Sequence, residues 1–108
     1  MTIRISNPDA KYHVTARTPF KGSNLFAENA THGTTDVYVV YSYGKHFPLY
    51  VAVADRSSSS TQWFQNCDKY SQSTALHLKQ AAPSADCTPM DTQNLLAIVS
   101  GALAGVPL

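Results

Sequence analysis

The sequence predicts an α+β fold: a small antiparallel β-sheet centred on a hairpin at residues 37–54, with two helices packed mainly on one side. Two β-branched and aromatic runs flank a short polar segment with one glycine, which predicts the hairpin. After residue 71 the spacing of apolar residues changes from two to about 3.6, which predicts helices. At 108 residues, the chain fits one domain, residues 1–108.

The part of the chain before the hairpin predicts little regular structure. We expect one strand near residues 11–16, which are rich in β-branched and aromatic side chains. Proline, glycine and asparagine interrupt residues 18–27, so this stretch predicts an ordered loop or a short edge strand. Residues 28–36 are small and polar, and we expect a turn at 32–35 that leads into the hairpin.

Large side chains are expected on both faces of the hairpin. Strand alternation places Val37, Val39 and Tyr41 on one face, and Tyr38 and Val40 on the other. One face is expected to lie beneath the helices. The other is expected to lie beneath large apolar residues from elsewhere in the chain: Phe20, Leu25, Phe26 and Trp63.

The hairpin is followed by a connection, a short strand and the first predicted helix. Residues 56–61 have a linker's composition but are few, so we expect them to connect strands. Residues 63–64 predict a third short strand. The helix is predicted over 72–82, with Ser71 or Ser73 as its N-cap.

The second helix is predicted over 90–104. Thr88 suits the N-cap, Pro89 the first helical position, and Asp91 lies three residues after the cap. We expect the apolar stripe of this helix to dock across the hairpin or, failing that, to form a homodimer interface. The stripe contains Leu95, Leu96, Val99, Ala102 and Leu103.

Composition excludes several classes of protein. With eight Lys and Arg against seven Asp and Glu, the formal net charge is +1, unlike that of a strongly basic nucleic-acid binder. No signal peptide is recognisable, and the longest apolar stretch is too short to span a bilayer. We therefore expect a soluble, cytoplasmic protein with no membrane partner.

No motif in the sequence predicts catalysis. The P-loop, the dinucleotide-binding glycine pattern, and the zinc-protease and serine-hydrolase motifs are all missing. The four histidines and two cysteines show no metal-ligand spacing. We therefore expect a protein that is not an enzyme, with no cofactor and no metal. Cys67 and Cys87 are expected to be reduced thiols, with a disulfide between them as the alternative.

Two surfaces carry candidate partner-binding residues. The hairpin offers tyrosines, which recur as interface anchors, beside a basic tip. The first predicted helix and the residues before it offer a polar face that could contact phosphate or an acidic protein surface. Core packing of the tyrosines and a plain solvated helix face are the alternatives. The candidates are Tyr41, Tyr43, Lys45 and His46 on the hairpin, and Lys69, Tyr70, His77 and Lys79 on the helical face.

Three blocks of sequence support a resemblance. They are FKGSNL at 20–25, YVVYSYG at 38–44 with FPLY at 47–50, and DKYS at 68–71 followed by Ser73, Thr74, His77, Gln80 and Pro83. In this order they resemble a family of small uncharacterised phage and plasmid proteins, over roughly residues 4–83.

The resemblance implies a mobile-element origin and no established activity. Small phage proteins of this class include stoichiometric inhibitors of host defence, and anti-CRISPR proteins are similar in size. We therefore expect an inhibitor in the host cytoplasm that binds a defence complex, such as CRISPR-Cas. A weak nucleic-acid contact is a further expectation, and the alternative function is that of a small nucleic-acid-binding regulatory protein.

Overall fold

The computed structural model describes a single seven-stranded sheet with two helices, which confirms the α+β class. The described residues are 3–6, 9–22, 24–42, 44, 47–55, 57, 60–68, 80–83 and 86–103. Within them the elements are β1 (Ile3–Arg4), α1 (Ala10–Thr15), β2 (Phe20–Lys21), β3 (Leu25–His32), β4 (Thr35–Ser42), β5 (Pro48–Asp55), β6 (Ser60–Asn66), β7 (Cys87–Met90) and α2 (Thr92–Leu103).

The strands lie in the sheet in the same order as in the chain. β2 to β6 form an antiparallel meander, while β1 pairs with β2 and β7 with β6 in parallel. Parallel neighbours need a crossover connection, and α1 is the crossover between β1 and β2. β4 and β5 occupy the middle of the sheet, with a register shift between Val40 and Tyr41.

The two described helices lie on opposite faces of the sheet. Ala10 and Val14 of α1 are fully buried in one apolar cluster with Tyr38 and its neighbours. Leu95 and Val99 of α2 are buried in a second cluster against β4, β5 and β6. The expected packing of helices mainly on one side is therefore not confirmed. We call these two sides the α1 face and the α2 face.

Burial of β4 follows the alternation predicted for it. Val37, Val39 and Tyr41 lie in the α2-face cluster, whereas Tyr38 and Val40 lie in the α1-face cluster. Both faces of β4 are covered, which is why apolar residues occupy successive positions. The expected covering residues divide between the faces: Phe20, Leu25 and Trp63 are on the α1 face, and Phe26 packs on the α2 face.

The strand predicted at residues 11–16 was wrong, because this segment forms α1. Its β-branched and aromatic residues favour a strand, but Ala10 and Val14 stand four positions apart and are both buried. Burial of one helical stripe outweighs the local preference, while Tyr12 stays 66 % exposed.

No strand was predicted at residues 28–32, but they continue β3 up to a tight turn. Gly33 has a φ of 61°, a left-handed conformation that glycine adopts readily. The turn at 32–35 and the third strand around 63–64 are confirmed, the latter as part of β6.

The C-terminal helix begins later than predicted. Thr88 and Pro89 belong to β7, an edge strand where a proline is tolerated. The N-cap is Asp91, whose Oδ1 accepts a hydrogen bond from the Asn94 N–H at 2.8 Å. Most of the helix predicted over 72–82 lies outside the described residues, as do its expected caps. Ala81, at its end, is buried on the α1 face.

Candidate functional site

The strand register gives the sheet two chemically different ends. Ser42, Pro48 and Asn66 lie at one end, which we call the tip end, because β4 leads there into the hairpin tip. Gly33 and the β5–β6 connection lie at the other, which we call the turn end.

Tyr41 is not a surface residue, contrary to its place among the expected partner contacts. Its side chain is 1 % exposed and stacks on Phe26, with the ring centroids 5.0 Å apart. Burial, followed by the charge and hydrogen bond of Glu28, raises the pKa of Tyr41 to about 12. Tyr41 therefore stabilises the α2 face and does not present its ring to a partner.

The other seven expected contacts lie outside the described residues: Tyr43, Lys45, His46, Lys69, Tyr70, His77 and Lys79. We call residues 43–46 the tip segment and residues 69–79 the post-strand segment. Both segments adjoin described residues at the tip end. The Ser42 N–H donates to the Phe47 carbonyl at 3.1 Å, which closes the base of the tip. The post-strand segment follows Asp68, just beyond β6.

Asn66 connects the bases of both segments through one buried amide. Its side chain is 1 % exposed. The Nδ2 group donates to the Pro48 carbonyl at 2.7 Å and to the Thr92 Oγ1 at 2.8 Å. Its Oδ1 accepts from the Asp68 N–H at 2.8 Å. Both donors and the acceptor are thus used, which fixes β5, β6 and the start of α2 against one another.

The first turn of α2 is occupied by the chain's own carboxylates. The Thr92 N–H donates to Asp68 Oδ2 at 2.8 Å, and Asp91 caps Asn94. The hydrogen bonds from Thr92 hold the pKa of Asp68 below its ordinary value. Negative charge at a helix N-terminus is favourable, and these two carboxylates take the place that a phosphate would need.

A polar cleft lies at the turn end, on the α1 face. It has a volume of about 300 Å³ and is lined by Ala16, Arg17, Asn29, Thr31, Asp36, Tyr38 and Ala52. The Tyr38 hydroxyl donates to the Thr18 carbonyl at 2.9 Å, and the Thr31 hydroxyl donates to Asp36 Oδ1 at 3.1 Å. Burial raises the pKa of Tyr38 well above its ordinary value.

Sequence reasoning missed this cleft because it missed α1, which carries Arg17 to its edge. One feature of the sequence could have indicated the cleft. Asn29 and Thr31 alternate with Leu25 and Ala27 on a single face of β3. A strand whose apolar face becomes polar over its second half indicates a sheet surface that the core leaves uncovered.

Neither cysteine forms a disulfide, and the two side chains lie apart. Cys67 is exposed, and Cys87 is half-buried. Cys87 pairs with Trp63, and Cys67 follows Trp63 by four residues, just beyond the end of β6, about 13 Å away at the rise of a strand. A disulfide needs Cα atoms about 4.4–6.8 Å apart, so this register excludes a bond between them.

Burial, followed by the charge of Asp86, raises the pKa of Cys87. In the part of the chain that the structure describes, no cluster of three or more His, Cys, Asp or Glu side chains could hold a metal ion. Nor does any described helix have the length and apolar character to cross a membrane.

Comparison with known proteins adds no assignment to these sites. No family model, curated protein or solved structure matches the chain. The resemblance to phage and plasmid proteins therefore stays a prediction.

Proposed function

We propose that this chain is a non-enzymatic inhibitor, encoded by a phage or another mobile element, that binds a host defence complex in fixed stoichiometry. CRISPR-Cas is the proposed complex, and the inhibitor would block nucleic-acid access by occupying a surface. The carrying observation is the Asn66 network, which fixes the bases of both candidate contact segments at one end of the sheet. The resemblance over residues 4–83 supplies the biological setting.

The tip end suits stoichiometric binding for a physical reason. A binding surface whose position is fixed in the free protein loses less conformational freedom on association. The Asn66 network fixes residues that flank both segments. The tip segment and the post-strand segment carry tyrosine, lysine and histidine side chains. Tyrosine is a frequent interface anchor, and the basic groups suit an acidic protein surface.

The α2 stripe has a different role. Leu95 and Val99 pack into the α2-face cluster, and the helix contacts β3, β4, β5 and β6. These two side chains are therefore used inside the molecule, so they do not support the alternative of a homodimer interface on this stripe.

Capture from a host lysate tests the proposal. We expect the tagged chain to co-purify with components of a host defence complex and to protect an otherwise restricted phage in plaque assays. The chain offers a matched pair of variants, because Lys-Tyr occurs at both 11–12 and 69–70. Lys69→Ala with Tyr70→Ala should weaken capture at least about tenfold, as loss of a tyrosine anchor does.

The control is Lys11→Ala with Tyr12→Ala on the exposed side of α1, which should leave capture unchanged. Equal loss in both variants, or a chain that neither binds nor protects, would overturn the proposal. Salt-dependent binding of the pure chain to DNA or RNA, weakened by Lys69→Ala with Lys79→Ala, would favour the nucleic-acid-binding regulator instead.

A further inference from the structure

An arginine closes α1 in a backbone conformation that favours glycine. Arg17 has a φ of 55°. The Thr18 N–H donates to the His13 carbonyl at 2.8 Å, and the Arg17 N–H donates to the Val14 carbonyl at 3.0 Å. This pair of bonds is a Schellman motif, in which the left-handed position is usually glycine. A side chain is strained in this conformation, so glycine would suit the fold better at this position.

The Arg17 side chain lies at the polar cleft of the turn end. The cleft rests on Tyr38 and Ala52, which are 2 % and 1 % exposed. Arg17 Nη1 donates to the Thr61 Oγ1 at 3.4 Å, a neutral partner. Among the described residues, no carboxylate forms an ion pair with Arg17. A guanidinium held in this way offers its remaining donors to a carboxylate, which it can bind through two parallel hydrogen bonds.

The cleft also carries two side chains, Asp36 and Asn29, that could accept a hydrogen bond from a donor group of a ligand. Asp36 is oriented by the Thr31 hydroxyl and places a negative charge in the same cleft as Arg17. The exposed amide of Asn29 can both donate and accept. The lining thus combines a guanidinium, a carboxylate and an amide, which together suit a molecule that joins a carboxylate to an amino or hydroxyl group.

We propose that this cleft binds a small molecule of the amino-acid or hydroxy-acid class, with its carboxylate on Arg17 and its donor facing Asp36 and Asn29. A volume of about 300 Å³ is at the lower end for small-molecule sites, which suits a ligand of this size. The site lies at the turn end, away from the proposed partner surface, and does not depend on the proposed function.

Titration of the ¹⁵N-labelled full chain with L-serine tests this site. We expect saturable shifts of the backbone amide signals of Asn29, Thr31 and Asp36. Acetate carries only the carboxylate, and ethanolamine only the donors. Each should bind at least about tenfold more weakly, since each lost charge-assisted contact is worth about that factor. The absence of saturable shifts with L-serine would overturn the proposal, as would equal binding of acetate.

Substitution of Arg17 separates binding from folding. Arg17→Gly should lose at least about tenfold in L-serine affinity, while its melting temperature stays the same or rises because glycine fits the left-handed position. Arg17→Lys keeps the positive charge but lacks the planar guanidinium with its paired donors. Its affinity for L-serine should therefore lie between those of the wild-type chain and Arg17→Gly. Unchanged serine binding by Arg17→Gly would overturn the assignment. Because this variant keeps the tip end, its capture of a host partner should equal that of the wild-type chain.

Discussion

Asn66 joins three parts of the chain through a single buried side chain. Its amide binds the Pro48 carbonyl, the Thr92 hydroxyl and the Asp68 N–H, so removing it takes these hydrogen bonds from one buried and two part-buried groups. An unsatisfied buried group costs more than the net gain from a typical hydrogen bond. Asn66 therefore matters for stability as well as for the position of the tip end.

We expect Asn66→Ala to lower the free energy of unfolding by about 2–3 kcal/mol, from the orphaned polar groups. Urea denaturation measures this directly. Gln62→Ala is the matched control, because Gln62 is exposed on the same strand and its truncation should change stability by less than about 0.5 kcal/mol. A loss of stability as small as that of the control would contradict the role given to Asn66.

Few of the candidate site residues could be predicted from sequence at the residue scale. The aromatic character of Tyr41 fits both an interface anchor and a core residue, and only its pairing with Phe26 on a covered face decides for the core. No sequence pattern marks Arg17 as a candidate site residue. Its proposed role depends on its position at the end of α1, a helix that local preferences do not predict. Asn66 resembles any polar residue at the end of a strand until its partners are known.

At the scale of elements, the parts of the chain with strong apolar patterns were predictable. The β4–β5 pair, β6 and most of α2 follow their apolar spacing. β3 was missed because residues 28–32 lack apolar alternation. Pairing with β4 stabilises the strand there, although the local strand preference is weak. β7 was missed because threonine followed by proline is typical of the start of a helix. In the structure Thr88 and Pro89 pair with β6 instead.

The start of α2 gives a direct test of which residue caps it. Asp91→Ala removes the hydrogen bond to the Asn94 N–H and should lower the free energy of unfolding by about 1 kcal/mol. Thr88→Ala, at the position the sequence indicated, should change it by less than about 0.5 kcal/mol, because Thr88 is exposed on an edge strand. The reverse order of effects in thermal or urea unfolding would show that α2 begins at Thr88.

At the scale of the whole molecule, the α+β class followed from composition and pattern, but the placement of the helices did not. α1 crosses between the parallel strands β1 and β2, whereas α2 follows β7 and returns over the other face. The face that a helix covers depends on the connections between strands. These connections run through α1 and β7, which the sequence did not predict. The result is a covered sheet with a polar cleft at one end and the proposed partner surface at the other.

This separation of ends gives the proposed inhibitor a scaffold that need not change shape when it binds. β4 is buried on both faces, so the middle of the sheet serves stability, and the proposed contact lies at the tip end. A protein that acts by occupying a surface should inhibit in proportion to its amount and should not turn over. Catalytic inactivation of a partner would require far fewer molecules of this chain.

The most direct test is an inhibition titration against the purified defence complex, with cleavage of its target nucleic acid as the readout. The proposed function predicts that activity falls linearly with added chain to an end point at a fixed whole-number ratio, and that incubation time leaves the end point unchanged. Activity that persists at saturating amounts, or full inhibition far below one chain per complex, would contradict stoichiometric inhibition.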